Sequence, residues 1–455
     1  MILKPTALNR RLALPLMFSL GCIATPALAQ DPERIDQLVR LQADAGGFTG
    51  AVLIGRDGQV VFDKGYGLAN REWSIPNDGQ TKYRLGSVTK QFTAAGIMLL
   101  VEKGQLDLDA PIKTYVEAAP AAWDAVTLRH LLAHTSGIPN FTDFPEFAAL
   151  NPLPATLDSL IARFSDKPLS FAPGEQFAYS NSGYILLSAI IEKASGQTYE
   201  AFITDRLLTP LGLKDTGYDR HATILPRRAS GYAPSASGVV NAEYGDMSIP
   251  SGAGALYSTT HDLMKWNEAL YGGKLLKAES LTLMTTPVLK DNGFGLFIRN
   301  EAGDKLIQHS GGIQGFNTYL AWDPETRSSI VVLGNLNGPG SDAVGNQLAT
   351  LVQGGDVILP SERAAVDIKA EDLADYVGAY PIVPSFVITV RVVDGKLQAQ
   401  ATGQPPFALT AEAKDRFFLT VVDAQISFTR DADGKVEGLI LHQNGRDMPA
   451  KKSVN

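Results

Sequence analysis

Apolar positions along the chain change period several times, and each change marks a different kind of element. From Ile35 to Ala45 they recur at helical spacing. The run AVLIGRDGQVVFDKGYG, starting at Ala51, then reads as two apolar strands around Asp57-Gly58, the dipeptide of a tight hairpin. Val88, Phe92, Ala95, Met98, Leu99 and Val101 return to helical spacing, and Gly104 offers a C-terminal stop. From Leu106 to Thr260, helical stretches alternate with Pro/Gly/Asn loops. The clearest helices are Tyr184 to Gly196 and STTHDLMKWNEALYGG, capped by Ser258 or Thr259 with Asp262 in its first turn. GFGLFIRN, KLIQHSGG, NTYLAWDPE and SSIVVLGNLN follow as antiparallel strands with short turns. Strands flanking a helical insert predict an α+β fold in which distant segments complete one sheet.

The texture changes between Gly354 and Ala370. From Glu371 onward, short strands recur at regular spacing, with Asp394-Gly395 and Asp433-Gly434 as hairpin turns. That predicts a small all-β barrel or sandwich. The expected division is 1–29, 30–355, a linker at 356–370, and the β-barrel at 371–455.

The first segment is a targeting signal rather than structure. Lys4, Arg10 and Arg11 precede an apolar stretch from Leu12 to Ala24, too short to span a bilayer, and Ala27-Leu28-Ala29 forms a cleavage site. A periplasmic or secreted location is expected. The only cysteine, Cys22, lies within the signal. A lipoprotein reading of it fits poorly, because Ser19 stands where an aliphatic residue is wanted. A mature chain without cysteine has no disulfide and no thiolate metal site. The net charge of -8 and pI of about 5.4 argue against nucleic-acid and anionic-membrane partners. No other apolar run is long enough for a membrane span.

Candidate chemistry starts at LGSVTKQFTA, where Ser87 and Lys90 stand one helical turn apart. Alone, the pair reads first as a helix-capping serine followed by a surface lysine. Two further motifs change the weighting: Tyr179-Ser180-Asn181, and His309-Ser310-Gly311 followed by Gly312. A serine hydroxyl needs a base before it attacks. Lys90 can be that base only if desolvation or a neighbouring cation lowers its pKa. Tyr179 can share the work, and such a pair titrates together, so the spacing assigns the base to the pair rather than to one member. Asn181, two residues on in an extended segment, shares the side of Tyr179 and can hold Lys90 or a substrate carbonyl. Gly311 and Gly312 would let a substrate backbone approach. A backbone N–H there, with that of Ser87, would form an oxyanion hole.

The histidines invite other readings. His130 and His134 are four apart but lack the glutamate of a zinc-protease motif and a third ligand, so no metal is expected. His134 tempts a catalytic-triad reading, but it and Thr135 read better as closing a helix through backbone hydrogen bonds. His221, His261 and His442 read as surface or capping residues, and Trp322 as core. Phe141, Phe144 and Tyr244 are evenly balanced between lining a cleft and plain packing.

The three motifs, in this order, resemble the serine β-lactamase and penicillin-binding protein superfamily, in particular its class C β-lactamase-related branch. The resemblance runs from about Gly50 to Asn337 and includes LRHLLAHTSGIPNF, GYILLSAIIEKASG and GAGALYSTTHDLMKW. It implies an α/β domain and an all-helical domain with the site between them. The C-terminal β-barrel resembles the lipocalin-like domain appended to some members. By resemblance, Ser87 is the acylated nucleophile, and Lys90 and Tyr179 are the acid/base pair. Asn181, His309, Ser310 and Gly311 bind substrate, and the N–H groups of Ser87 and Gly312 form the oxyanion hole. Class C β-lactamases usually carry lysine where His309 stands. Histidine, with an ordinary pKa near ~6.5, is a weaker partner for a substrate carboxylate. The expectation is a cofactor-independent serine hydrolase of small amide, ester or peptide substrates, of D-peptidase type. The alternatives are a β-lactamase, a short-chain esterase, or a penicillin-binding sensor with little turnover. The sequence does not set the oligomeric state.

Overall fold

The computed structural model describes residues 31–453 apart from 236, 302, 405, 421–423 and 444–445. The signal segment, with Cys22, lies outside the described residues. Helix α1 (Pro32–Asp44) starts at Asp31, whose side chain accepts from the Glu33 N–H. Strands β1 (Gly50–Arg56) and β2 (Gln59–Tyr66) form the expected hairpin. Asp57 and Gly58 both take positive φ, 48° and 72°, as a tight two-residue turn requires. Helix α2 (Thr89–Glu102) carries the candidate lysine. Helix α3 (Asn181–Ser195) ends at Gly196 in the left-handed conformation. Thr259, rather than Ser258, caps α4 (Thr260–Tyr271), accepting from the Asp262 N–H.

The returning strands are β3 (Phe297–Glu301), β4 (Asp304–Ile313), β5 (Phe316–Asp323) and β6 (Ser328–Gly334), followed by helix α5 (Gly340–Val352). The sheet order is β3-β4-β5-β6-β1-β2, with antiparallel neighbours throughout. The first hairpin thus docks beside the last strand, as the α+β reading expects. Side chains alternate between two cores. Val52, Ile54, Ile330 and Val332 pack against α1 and α5. Ala51, Leu53, Leu320 and Val331 pack with α2, α4 and the helical insert. Burial on both faces is why β1 and β6 read as continuous apolar runs rather than alternating ones.

The C-terminal unit is all-β, but the expected barrel is not closed. It has a four-stranded sheet beginning at Gly378–Val383 and a five-stranded sheet ending at Arg446–Lys451. The chain crosses between them at Leu409, and no ladder joins the two sheets among the described residues. They share a core of Tyr376, Tyr380, Phe417, Phe428 and Leu439. The connecting stretch at 356–370 is anchored to both neighbours. Leu359 joins the core under α1, Glu362 pairs with Arg34, Arg363 pairs with Glu412 at 3.2 Å, and the Val366 N–H donates to the Ala411 carbonyl.

Candidate active site

Ser87 lies in a single 3-10 turn, Gly86–Val88, that runs directly into α2. No side chain caps this start, so the hydroxyl is not spent as a helix cap. The turn is pressed onto β4. Gly86 has φ +53° and abuts Gly312, while a Cβ on Gly311 would stand 2.0 Å from the Leu85 carbonyl oxygen. Gly311 is therefore required by the chain's own packing rather than by substrate access, which corrects the sequence reading. Gly312 is exposed and has only Asn317 near its missing Cβ.

Lys90, one turn after Ser87, has no solvent exposure. Its Nζ lies 3.1 Å from Ser87 Oγ, 2.8 Å from Asn181 Oδ1 and 2.8 Å from the Ala253 carbonyl oxygen. Two of these partners can only accept; the third is a hydroxyl. A neutral amine satisfies all three, donating to Asn181 and Ala253 and turning its lone pair to the Ser87 O–H. Burial pushes the Lys90 pKa well below the ordinary lysine value. Desolvation alone suffices, without the cationic neighbour considered from sequence. The Lys90 Nζ also sits 4.8 Å from the Tyr179 ring centroid and 5.3 Å from that of Tyr184.

Tyr179 is half-buried, but its hydroxyl is fully covered and has no hydrogen-bond partner among the described residues. Burial raises its pKa above the usual phenol range. Ser180 is extended (φ -139°, ψ 117°), and Asn181 opens α3. The Y-x-N motif therefore spans a strand-like approach and a helix start. The arrangement brings Asn181 to Lys90 as expected. The Asn181 amide also donates to Thr142 Oγ1 at 3.2 Å.

His309 is buried on β4, with Nδ1 2.6 Å from the Ser310 carbonyl. A carbonyl only accepts, so Nδ1 carries the proton. Burial brings the His309 pKa down to about 3. The imidazole is neutral at working pH. Ser310 is exposed, and its hydroxyl donates to Asp342 in the first turn of α5 at 2.5 Å.

Ser87 sits where two cavities meet. One, of about 210 Å³, is lined by Phe141, Phe147, Ile249, Pro250 and Ile313, with Asn151, Thr142, Asn181, Gln314 and Gly312 as polar neighbours. The other, of about 290 Å³, is lined by Tyr179, Phe297, Gln308, His309 and Ser310. A larger cavity of about 1170 Å³ lies between α1 and the C-terminal unit and contains none of the candidate residues. Phe141 lines the site, whereas Phe144 and Tyr244 do not line either cavity at Ser87.

His134 does more than close a helix. At φ +54°, its carbonyl accepts the Ala178 N–H and its Nδ1 accepts the Ser180 N–H at 3.1 Å. Its ring stacks on Tyr179 at 4.4 Å between centroids. One residue thus grips both neighbours of Tyr179 and its ring face. His130 accepts the Thr127 N–H within its own helix cap. His261 reaches Asp63, His442 lies between Asp447 and Ser427, and buried Trp322 stacks on Tyr271. Sequence reasoning missed Phe147, Asn151, Ile249, Phe297, Gln314 and Asp342. All sit in loops or at element ends, where no periodic signal marks them.

The sequence and fold have recognisable relatives. A family model described as a domain of unknown function matches residues 362–452. Penicillin-binding protein 4* of Bacillus subtilis is 29% identical over 435 residues, covering 89% of this chain and 95% of the relative. The octameric penicillin-binding protein homologue from Pyrococcus abyssi superposes with a TM-score of 0.67 at 28% identity, covering 92% of this chain and all of that one. The D-amino acid amidase from Ochrobactrum anthropi SV3, complexed with L-phenylalanine amide, gives 0.62 at 27% identity, over 71% and 97% of the two chains. The family model described as Beta-lactamase matches residues 35–354, the span holding all three motifs, and with the shared fold this establishes that the chain belongs to the beta-lactamase family of serine hydrolases.

Proposed function

We propose that this chain is an exported serine hydrolase of the class C-related branch. It cleaves amide or ester bonds of small substrates, D-amino-acid derivatives among them, through an acyl-enzyme on Ser87. The observation that carries the reading is the Lys90 amine, wholly buried and held between Ser87 Oγ, Asn181 Oδ1 and the Ala253 carbonyl. An ordinary surface lysine has no reason to occupy that position.

In the first step, Ser87 Oγ bonds to the substrate carbonyl carbon as its proton passes to the Lys90–Tyr179 pair. The negative oxygen that develops is held by the N–H groups of Ser87 and Gly312. The carbon–nitrogen or carbon–oxygen bond then breaks, and the same proton leaves on the departing atom. Water, deprotonated by the pair, attacks the acyl carbon and restores the Ser87 hydroxyl. No step needs a cofactor. Phe141, Phe147, Ile249 and Ile313 suit an uncharged apolar acyl group. Export rests on the N-terminal signal. The C-terminal sheets are read as an appended lipocalin-like module outside the reaction.

A second reading is a penicillin-binding sensor that acylates and barely turns over, favoured by the name of the Bacillus relative. An efficient β-lactamase is disfavoured because neutral His309 offers a β-lactam carboxylate no cation. The discriminating experiment is a substrate panel of a nitrophenyl ester, D-alanyl peptides, a D-amino-acid amide and a chromogenic cephalosporin. Turnover of the first three that vanishes in Ser87→Ala supports the hydrolase. A penicillin adduct with no turnover of any substrate would favour the sensor, and turnover unchanged in Ser87→Ala would refute both.

A further inference from the structure

The cavity that suits the acyl group takes its walls from segments far apart in the chain. Phe147 and Asn151 come from the short helix Phe147–Leu150 and the residue after it. Ile249 and Pro250 come from an irregular loop. Asp246 lines neither cavity at Ser87, yet it joins these two segments. Its N–H donates to the Asn151 carbonyl at 3.0 Å. Its Oδ1 accepts the Ser248 N–H at 2.9 Å, the bond of an Asx-turn, and the Ser248 hydroxyl at 2.6 Å. With its proton so committed, Ser248 Oγ accepts the Ala155 N–H at 2.9 Å. Asp246 Oδ2 accepts the Tyr244 hydroxyl at 3.1 Å, and the Asp246 carbonyl accepts the Ile249 N–H at 3.1 Å. One residue thus fastens the loop to both ends of the 151–155 stretch. The fit beside it is close, since a Cβ on Gly245 would stand 2.8 Å from Gln314 Oε1 and 2.9 Å from Asn151 Nδ2.

The reacting groups are held separately. Pro250 leads into the short helix Ser251–Gly254, whose Ala253 carbonyl holds Lys90. That helix is fastened through Gly252, whose N–H donates to Ser188 Oγ at 3.0 Å and whose carbonyl accepts Thr93 Oγ1 at 2.7 Å. Neither bond involves Asp246 or Ser248, so the acyl wall can loosen while Lys90 keeps its place. We infer that Asp246 is a positioning residue for acyl-group specificity. By fixing Ile249 and Pro250 against the Phe147–Asn151 segment, it keeps the cavity shaped for a bulky apolar acyl group such as phenylacetyl. The inference rests on the hydrolase reading and deepens it. An acetyl group carries a single methyl beyond the reacting carbon and gains little from these walls.

The test compares the nitrophenyl esters of acetic and phenylacetic acid, whose burst also titrates acylating sites. In the wild-type chain, kcat/KM should favour the phenylacetyl ester by about tenfold or more. Asp246→Ala should cut that preference about fivefold or more through the phenylacetyl ester, with kcat/KM for the acetyl ester held within about twofold. Asp246→Asn keeps Oδ1 as an acceptor for Ser248 and should recover most of the preference. Ser248→Ala breaks the bridge to Ala155 and should act like Asp246→Ala, which preserves the test if that variant does not fold. No wild-type preference, a preference unmoved in both alanine variants, equal losses on the two esters, or a loss in Asp246→Asn as deep as in Asp246→Ala would each overturn the inference. A persisting burst would leave the hydrolase intact in all of these cases. Absence of any burst in the wild-type chain would instead sink the hydrolase reading and the inference together.

Discussion

Lys90 Nζ lies 3.1 Å from Ser87 Oγ while having no contact with solvent. The consequence is electrostatic. Between the depressed pKa of buried Lys90 and its unfolded value near ~10.4, the unfolded chain binds the extra proton. Stability therefore rises with pH through that window and is fully present only above it, with a slope of up to about 1.4 kcal/mol per pH unit for one proton. Lys90→Met should lose that slope in denaturant unfolding between pH 7.5 and 10, and it should lower kcat/KM by ~10²–10⁴. Equal slopes in the two proteins would mean an unperturbed lysine. His309 gives the same sign at lower pH. Its stabilisation is complete above ~6.5 and is lost as pH falls toward its folded value of about 3.

His134 binds the N–H of Ser180, accepts that of Ala178 through its carbonyl, and stacks on the ring between them. His134→Phe keeps a ring against Tyr179 but strands the Ser180 N–H. It should cost about 1–3 kcal/mol of stability and lower kcat more than it raises KM. His134→Asn tolerates the positive φ and offers an acceptor, so it should recover part of both losses. A Phe variant with unchanged unfolding and kcat would show that the grip on Tyr179 is idle.

Asp219, with its side chain fully buried, joins Arg84 at 2.7 Å and Arg228 at 2.5 Å. Arg84 lies three residues before Ser87. Asp219→Ala leaves two guanidinium groups facing an empty position and should lose about 3–5 kcal/mol by chemical denaturation. A loss below about 1 kcal/mol would show that water compensates the pair.

The C-terminal unit has a core of its own, and none of its described residues lines the two cavities at Ser87. A chain ended after Arg363 keeps the Arg34–Glu362 pair. It should hydrolyse the nitrophenyl ester within about threefold of the full chain. Loss of activity with retained folding would assign the C-terminal unit a part in the reaction.

Much of this was legible in the sequence because it is local. Asp57-Gly58 fixed a hairpin, Gly196 ended α3, and the apolar runs at Val52 and Val332 announced strands buried on both faces. The three motifs pointed to residues that do converge, since Ser87, Lys90, Asn181, Tyr179 and His309 line or border one site. What failed to show depends on distant geometry. Closure of the C-terminal sheets turns on edge pairing, which strand period does not encode. Gly311 was read as an opening for substrate, yet the Leu85 carbonyl fills that space. His134 was read within its own helix, whereas its partners lie more than forty residues away. Phe147, Asn151, Ile249 and Gln314 meet only because separate loops fold over the same serine.

The most direct test of the account is the mass of the protein caught during turnover of a D-amino-acid ester, with peptide mapping of the adduct. The account predicts one acyl group on Ser87, absent in Ser87→Ala and accumulating in Lys90→Met if deacylation slows more than acylation. Turnover with no adduct on Ser87, or an acyl group mapped to another residue, would contradict it.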